Sequence, residues 1–344
     1  MKLVVIADDL TGALDSAVAF AEQGLKVLCA LDQSHLSAAM DQDVDVVAVS
    51  TGSREIEQQE AVERVRTVLG IIRQSKGGKG LRLFKKVDSR LKGHVAAEIE
   101  ALRHVGQDVL VCPAIPRLGR FVEKGMLCGA GVVTPRSVAD IANVPLDNCP
   151  DARSQDDIAK ALATFPADGL LVGAAGLAEG LAVQCTEHTG QRTPLRPRAP
   201  ALFAIGSRDP VTLAQLDGFS PLPAPNGMVP PPASFTDAVQ VIQMTPGESV
   251  ISSHEAGANF AKGIADWISA NRPATFLASG GESAAAICAH LDIGILQILG
   301  EILPGLPLSK SLNGQQDLFI ITKSGGFGEP DTLVNLAAIL VKHQ

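Results

Sequence analysis

Residues 3–15 read LVVIADDLTGALD. Leu3 to Ala7 is an uninterrupted apolar run, the signature of a strand buried on both faces. Asp8 and Asp9 end it. From Ala13 the period changes: Leu14, Ala17, Val18 and Ala21 recur at helical spacing to Gln23, and Gly24 supplies a stop. A buried strand, a polar turn and an amphipathic helix make the opening unit of a parallel sheet.

The pattern continues along the chain. Strands are predicted at Lys26–Leu31, Val44–Ser50, Leu81–Val87, Val109–Cys112 and Leu170–Val172. Helices are predicted at Glu55–Gln74, Val95–Val105, Asp156–Thr164 and Leu177–Glu187. Thr189 to Pro200 (TGQRTPLRPRAP) then breaks the apolar periodicity, which places a linker there. Alternation restarts with strand Leu202–Ile205 and a helix capped by Asp209 with Pro210 behind it. A Pro-rich stretch, Ser220–Ser234, is expected to be irregular. Helix stripe Phe260, Ile264, Trp267, Ile268 follows, then strand Thr275–Ala278, helix Ser283–His290, strand Leu318–Thr322 and helix Thr332–Val341. The expected architecture is α/β, with two mostly parallel domains at 1–190 and 200–344.

Composition narrows the functional classes. The 344 residues are 46% apolar and 19% charged, with mean hydropathy +0.20, enough for two packed cores. Net charge −8, one Trp and no Tyr argue against a nucleic-acid surface. Residues 293–308, the longest apolar stretch, carry Glu301, Pro304 and Pro307 and read as strand and turn rather than a membrane span. The six cysteines lack C-x-x-C spacing, and the histidines are scattered, so no metal site is expected. Reduced thiols and the early Asp8–Asp9 pair place the protein in the cytoplasm.

Chemistry-bearing residues gather where predicted strands end, the edge at which open α/β sheets bind ligands. Asp8 and Asp9 form the first group; a helix cap needs one carboxylate, and the second is surplus. Residues 85–94, KKVDSRLKGH, form the second, with Lys85, Lys86, Arg90 and Lys92 around Asp88. This run reads either as a solvated basic loop or as an anion site. Arg54, after another strand, adds a guanidinium suited to a carboxylate. Ser279-Gly280-Gly281-Glu282-Ser283 and Lys323-Ser324-Gly325-Gly326-Phe327-Gly328 form the third and fourth, with Gly206-Ser207 similar. Such turns let backbone amides approach phosphate. No G-x-x-x-x-G-K-[ST], H-E-x-x-H, G-x-S-x-G or G-x-G-x-x-G after the first strand is present, which argues against a P-loop, a zinc protease, a serine hydrolase and a Rossmann dehydrogenase.

In order, IADDLTGALD, KKVDSRLKG, GSRDPVT, SGGES, EILPGLPL and KSGGFGEPDTL resemble the four-carbon acid sugar kinase family over nearly the whole chain. The resemblance implies two Rossmann-like α/β domains, the first binding a sugar acid and the second ATP, with a ligand cleft between them. It implies phosphorylation of a threonate, erythronate or oxo-tetronate. Asp8, Asp9, Arg54, Lys86 and Asp88 match its acid-site positions, and Ser207, Gly280, Gly281, Glu282, Ser283 and Gly326 its nucleotide-site positions. Gly325 belongs to the same glycine turn.

On this reading Lys86, Arg54 or Lys92 fixes the substrate carboxylate. Asp9 or Asp88 orients the attacking hydroxyl or takes its proton, and Mg²⁺ bridges the phosphates. The expected partners are a small sugar acid and ATP, with a homodimer as the one protein partner considered and neither nucleic acid nor membrane. The family's middle motif usually reads VDSTLRGN, whereas Arg90, Lys92 and His94 stand here in place of Thr, Arg and Asn. That departure motivates an alternative, a non-catalytic sugar-acid or nucleotide binding protein.

Overall fold

The computed structural model describes residues 3–75, 80–186, 196–314 and 317–342. Residue contacts group the chain into two compact units, Met1–Arg192 and Thr193–Gln344. The expected linker lies largely outside the described residues.

In the first unit the strands are β1 Leu3–Ala7, β2 Val27–Ala30, β3 Val46–Ser50, β4 Arg82–Lys86, β5 Val109–Cys112, β6 Arg120–Glu123, β7 Met126–Gly129, β8 Arg136–Ser137 and β9 Leu170–Gly173. Its helices are α1 Leu10–Glu22, α2 Leu36–Met40, α3 Gln58–Gln74, α4 Val95–Leu102, α5 Val138–Ala142, α6 Gln155–Thr164 and α7 Ala175–Gln184. Six strands run parallel in the order β2-β3-β1-β4-β9-β5. All five residues of β1 are fully buried, as expected of a central parallel strand. The order reverses at β1, so the loops after β1, β3 and β4 converge at a topological switch point.

The antiparallel sheet β6-β7-β8 is a finding that alternation did not signal. Its strands have two to four residues, too short for a period to register. It hangs on the main sheet's loops through the Ile115–Arg120 and Val122–Ala152 bridges.

The second unit contains β10 Ala201–Ile205, α8 Pro210–Ala214, β11 Leu222–Pro225, β12 Val239–Thr245, α9 Ser253–Asn271, β13 Thr275–Ser279, α10 Gly281–His290, β14 Ile295–Leu303, β15 Leu306–Ser311, β16 Phe319–Lys323 and α11 Thr332–Lys342. Five strands are parallel in the order β11-β12-β10-β13-β16, and β15 and β14 follow antiparallel. The stretch 220–234, expected to be irregular, opens with β11, whose sequence is LPAP. Proline lacks an N–H, so Pro223 and Pro225 suit the outermost position. Seven-residue β12, also unexpected, pairs with it.

The second unit's core is built on Phe203, Ile205, Leu277, Ile321, Leu333 and Leu336, all fully buried. Phe203 lies 6.1 Å from the Phe219 ring. Replacing Phe203 with Ala removes this contact and leaves a cavity, and the expected loss is about 3–5 kcal/mol. The chain's single tryptophan, Trp267, is buried in α9 of the same unit and provides the readout. Urea unfolding followed by its fluorescence should show the midpoint displaced accordingly.

Candidate active site

The residues singled out by sequence fall on two sets of loops, one in each unit. In the first unit, β1, β3 and β4 are paired in register, Ala7 opposite both Ser50 and Lys86. The residues just beyond are therefore neighbours. Thr51 N–H donates to the Ala7 carbonyl at 2.8 Å, and Ser53 N–H to that of Asp8 at 2.8 Å. The second turn brings Arg54 onto the paired aspartates.

Arg54 grips both. Its Nε and Nη2 donate to the two oxygens of Asp8 at 3.0 and 2.8 Å. Its Nη1 and Nη2 donate to those of Asp9 at 2.8 and 2.7 Å. Asp9 also caps α1, accepting from Gly12 N–H at 2.9 Å and Thr11 Oγ1 at 2.7 Å. The surplus carboxylate of the sequence is thus half of an Asp–Arg–Asp clamp. Burial opposes ionisation of Asp8, but the Arg54 hydrogen bonds and the charges of Lys85, Arg54 and Lys86 outweigh it and hold the carboxyl below its ordinary value.

Lys85 and Lys86 point to opposite faces of the sheet, as neighbours on a strand do. Lys85 is fully buried and forms an ion pair with Glu98 of α4 at 2.6 Å. Glu98 also accepts from Ser53 Oγ. Lys86 lies beside α1, where its Nζ would stand 2.9 Å from a Cβ at Gly12, and it donates to the Val87 carbonyl at 2.9 Å. Asp15, a turn and a half beyond Asp9, is pushed up by burial despite the charges of Lys86 and Arg117.

Asp88 Oδ1 accepts from the amides of Arg90 and Lys92 at 2.9 and 3.3 Å. No donor among the described residues reaches its Oδ2. Gly93, at φ +80°, brings this loop against Arg54 and Asp8. Lys92 is exposed. His94 is structural: its Nε2 donates to the Ile56 carbonyl at 2.6 Å.

Sequence reasoning did not assign Arg120 and Arg136 a role. Arg120 donates to Ser89 Oγ at 2.5 Å and to the Ala130 carbonyl at 2.9 and 2.7 Å; Arg136 donates to the Arg90 carbonyl at 2.5 Å. Both come from the small β6-β7-β8 sheet, which therefore clasps the Asp88 loop. No local signal marks them, because their partners lie 10 to 46 residues away.

In the second unit, adjacent strands β10, β13 and β16 end together. Gly206 N–H donates to the Ser279 carbonyl at 3.2 Å and Gly280 N–H to that of Lys323 at 2.9 Å. The expected residues are brought together: a Cβ on Gly206 would meet Ser283 Oγ at 2.2 Å, one on Gly325 would meet Ser207 Oγ at 2.4 Å, and one on Gly326 would meet Asp209 Oδ2 at 3.3 Å. Gly280 adopts φ +106°, a conformation that disfavours side chains. It precedes α10 without a side-chain cap, and the first amides, of Gly281, Glu282 and Ser283, have no acceptor among the described residues. This is an anion-binding arrangement. Among the described residues no group of three His, Cys, Asp or Glu could hold a metal, and no helix is long and apolar enough to cross a membrane. The six cysteines form no disulfide.

Two family models match the chain. A model described as a sugar-binding N-terminal domain matches residues 3–150, and one described as a nucleotide-binding C-terminal domain matches residues 230–333. A D-threonate kinase of Bordetella bronchiseptica is 29% identical, with 97% of this chain and 96% of that protein aligned. A 3-oxo-tetronate kinase of Pseudomonas fluorescens is 26% identical, with 95% and 94% aligned. A crystal structure of a Haemophilus influenzae protein from a domain family of unknown function shares the fold, with TM-score 0.71, 19% identity, and coverage of 98% of this chain and 100% of that one. The fold is α/β with a nucleotide-binding C-terminal domain, and the kinases aligned with it along nearly its whole length make it a small-molecule kinase. The chain belongs to the four-carbon acid sugar kinase family and is a sugar-acid kinase. The non-catalytic alternative is not favoured.

Replacing Arg54 with Met strands two adjacent carboxylates, one of them buried. At pH 7 the expected loss of stability is about 3 kcal/mol. Asp8 titrates lower in the folded protein than its ordinary 3.8, so its stabilisation is present above that value and is lost as pH falls through the folded one. The difference between wild type and variant should therefore shrink below pH 3.8. Urea denaturation at pH 7 and pH 3 measures it.

Proposed function

We propose that the protein transfers the γ-phosphoryl group of ATP to a hydroxyl of a four-carbon sugar acid of the D-threonate type. The acid binds at the β1, β3 and β4 loops and the nucleotide at the β10, β13 and β16 loops. The choice of acid rests on the relatives aligned over nearly the whole chain, where two D-threonate kinases are 29% identical and a 3-oxo-tetronate kinase 26%; over 42% of the chain a D-erythronate kinase is 34% identical, so erythronate belongs in the same test.

The observation that carries the mechanism is the free oxygen of Asp88. Both oxygens of Asp8 and both of Asp9 accept from Arg54, and those of Asp9 also serve the helix cap. Of the three carboxylates, Asp88 is the one with an oxygen, Oδ2, that has no donor among the described residues, and that oxygen is the one we assign to the substrate hydroxyl. Asp88 orients that hydroxyl and accepts its proton as the oxygen bonds to the γ-phosphorus; the bond from that phosphorus to the β–γ bridging oxygen breaks, and ADP leaves. Asp9 acts through Arg54 rather than on the hydroxyl. Lys92 and Lys86 supply the charge for the substrate carboxylate, since Arg54 spends most of its donors on Asp8 and Asp9.

On the nucleotide side, the amides at the start of α10 and the Gly325–Gly326 turn receive the phosphates. Mg²⁺, when bound with ATP, neutralises phosphate charge, a role that needs only one or two protein carboxylates. Asp209 fits it: Oδ1 caps α8 through Val211 N–H at 2.9 Å, and Oδ2 faces the Gly326 turn.

An ADP-release screen over four-carbon acids of every configuration tests the reaction and should show D-threonate as the best acceptor. Asp88→Asn should lower kcat about 10²–10⁴-fold with ATP affinity little changed. Near-normal turnover of that variant would remove Asp88 from the mechanism. Gly326→Val should do the reverse and abolish ATP binding measured by calorimetry. A Cβ there meets Asp209 Oδ2 at 3.3 Å, a tight contact from which the aspartate side chain must shift by a few tenths of an ångström, so thermal melting of the variant is measured alongside to separate lost binding from lost fold. Unchanged ATP affinity would reject the site.

A further inference from the structure

Lys323, the last residue of β16, is fully buried. It lies under the Gly325–Gly326 turn. Its Nζ donates to Thr212 Oγ1 at 2.8 Å, to the Ser324 carbonyl at 3.2 Å and to the Gly325 carbonyl at 3.4 Å. Thr212 Oγ1 in turn donates to the Gly325 carbonyl at 2.6 Å. The Lys323 main-chain carbonyl accepts from Gly280. One residue thus ties together α8, the start of α10 and the glycine turn.

The consequence follows from peptide geometry. In a trans peptide the carbonyl and the following N–H point in opposite directions. With the carbonyls of Ser324 and Gly325 drawn inward to one ammonium, the N–H groups of Gly325 and Gly326 are turned outward. Neither has an acceptor among the described residues. Consecutive outward amides form an anion-binding concavity.

We infer that Lys323 is a positioning residue for phosphoryl transfer: its buried ammonium turns the Gly325 and Gly326 amides toward the nucleotide phosphates and adds a positive charge behind them. The inference rests on the proposed nucleotide site.

The charge is maintained against burial, which lowers the pKa of Lys323 to about 8, Asp209 in the loop ahead of α8 acting against that fall. Among the described residues Asp209 is the one charged group acting on it. Bound phosphate favours the protonated form. Nucleotide binding should therefore take up a proton above pH 8 and weaken as Lys323 loses its charge.

The experiment is calorimetric titration of the full-length protein with ATP at pH 7.5, 8.5 and 9.5, each in two buffers of different ionisation enthalpy. The terminal phosphate of ATP is ionised throughout this range. Affinity should fall about tenfold across it, with net proton uptake at pH 8.5. Lys323→Arg keeps a charge that does not titrate here and should flatten the slope. Thermal melting at each pH distinguishes weaker binding from unfolding. Should the arginine not fit, Thr212→Val removes the hydroxyl that holds the ammonium and should weaken ATP binding several-fold. Tight binding by the wild type with no pH dependence and no proton uptake would overturn the role of Lys323 and leave the nucleotide site standing. Absence of ATP binding at every pH would overturn the nucleotide site itself, and the inference with it.

Discussion

Two adjacent lysines end a strand in the interior of the first unit, and much of the acid-side architecture answers to them. An unpaired ammonium in a protein interior is costly, so each requires a carboxylate, and a strand sends neighbouring side chains to opposite faces. Lys85 finds Glu98 on α4. Glu98 then takes Ser53 Oγ, which pins the loop carrying Arg54. Lys86 emerges beside α1, where Asp9 and Asp15 lie within its field. Arg54 closes the arrangement by joining Asp8 to Asp9. Three strand ends that share only backbone pairing are thereby locked into one charged constellation. Buried ion pairs of this kind contribute little net stability, but removing one partner is severe. Their value here lies in placement, because they leave the Asp88 loop beside a rigid neighbour.

The two units solve the same topological problem. In each, the second strand lies outermost, the third returns beside the first, and the fourth crosses to its other side. That order produces a switch point in each sheet and directs successive loops to one edge. The content of the loops differs. The first unit fills them with ionised side chains; the second uses glycine, serine and main-chain amides. The difference fits the proposed ligands. A sugar acid presents hydroxyls and one carboxylate, which need donors and acceptors of individual placement. Phosphates present repeated anionic oxygens, which amides at a helix start can satisfy without distinguishing them.

The parallel core was legible because buried strands write themselves as unbroken apolar runs. Leu3–Ala7 needed nothing beyond local pattern, and the same pattern gives Thr275–Ala278, one residue short of the strand's end at Ser279. The glycine turns after β10, β13 and β16 were equally plain as turns, since a Cβ on Gly206 or Gly325 would collide with a serine hydroxyl and Gly280 has a positive φ. The sheet β6-β7-β8 was not legible: its strands are too short to alternate, and Arg120 and Arg136 acquire meaning only where the chain returns to the Asp88 loop. Pro223 and Pro225 read as disorder of pattern, although the absent N–H groups are what an outermost strand tolerates. Lys85 and Lys86 fall at the end of predicted strand Leu81–Val87, but the run 85–94 stays open between a solvated basic loop and an anion site because charge in sequence reports nothing about depth.

Lys323 shows the same limit from the other direction. By sequence it merely heads a glycine turn, and nothing local gives the direction of its side chain. It reaches inward, to two carbonyls and a hydroxyl. The turn it shapes has no side chains of its own with which to hold a conformation, and free glycines would populate several. A buried cation beneath them selects the one in which the amides face out. Glycine provides room for the ligand, the lysine provides order, and Thr212, which both accepts from the lysine and donates to the turn, transmits that order from α8. Each is inadequate alone: room without order lowers affinity through the entropy of fixing the turn, and order without room admits no phosphate.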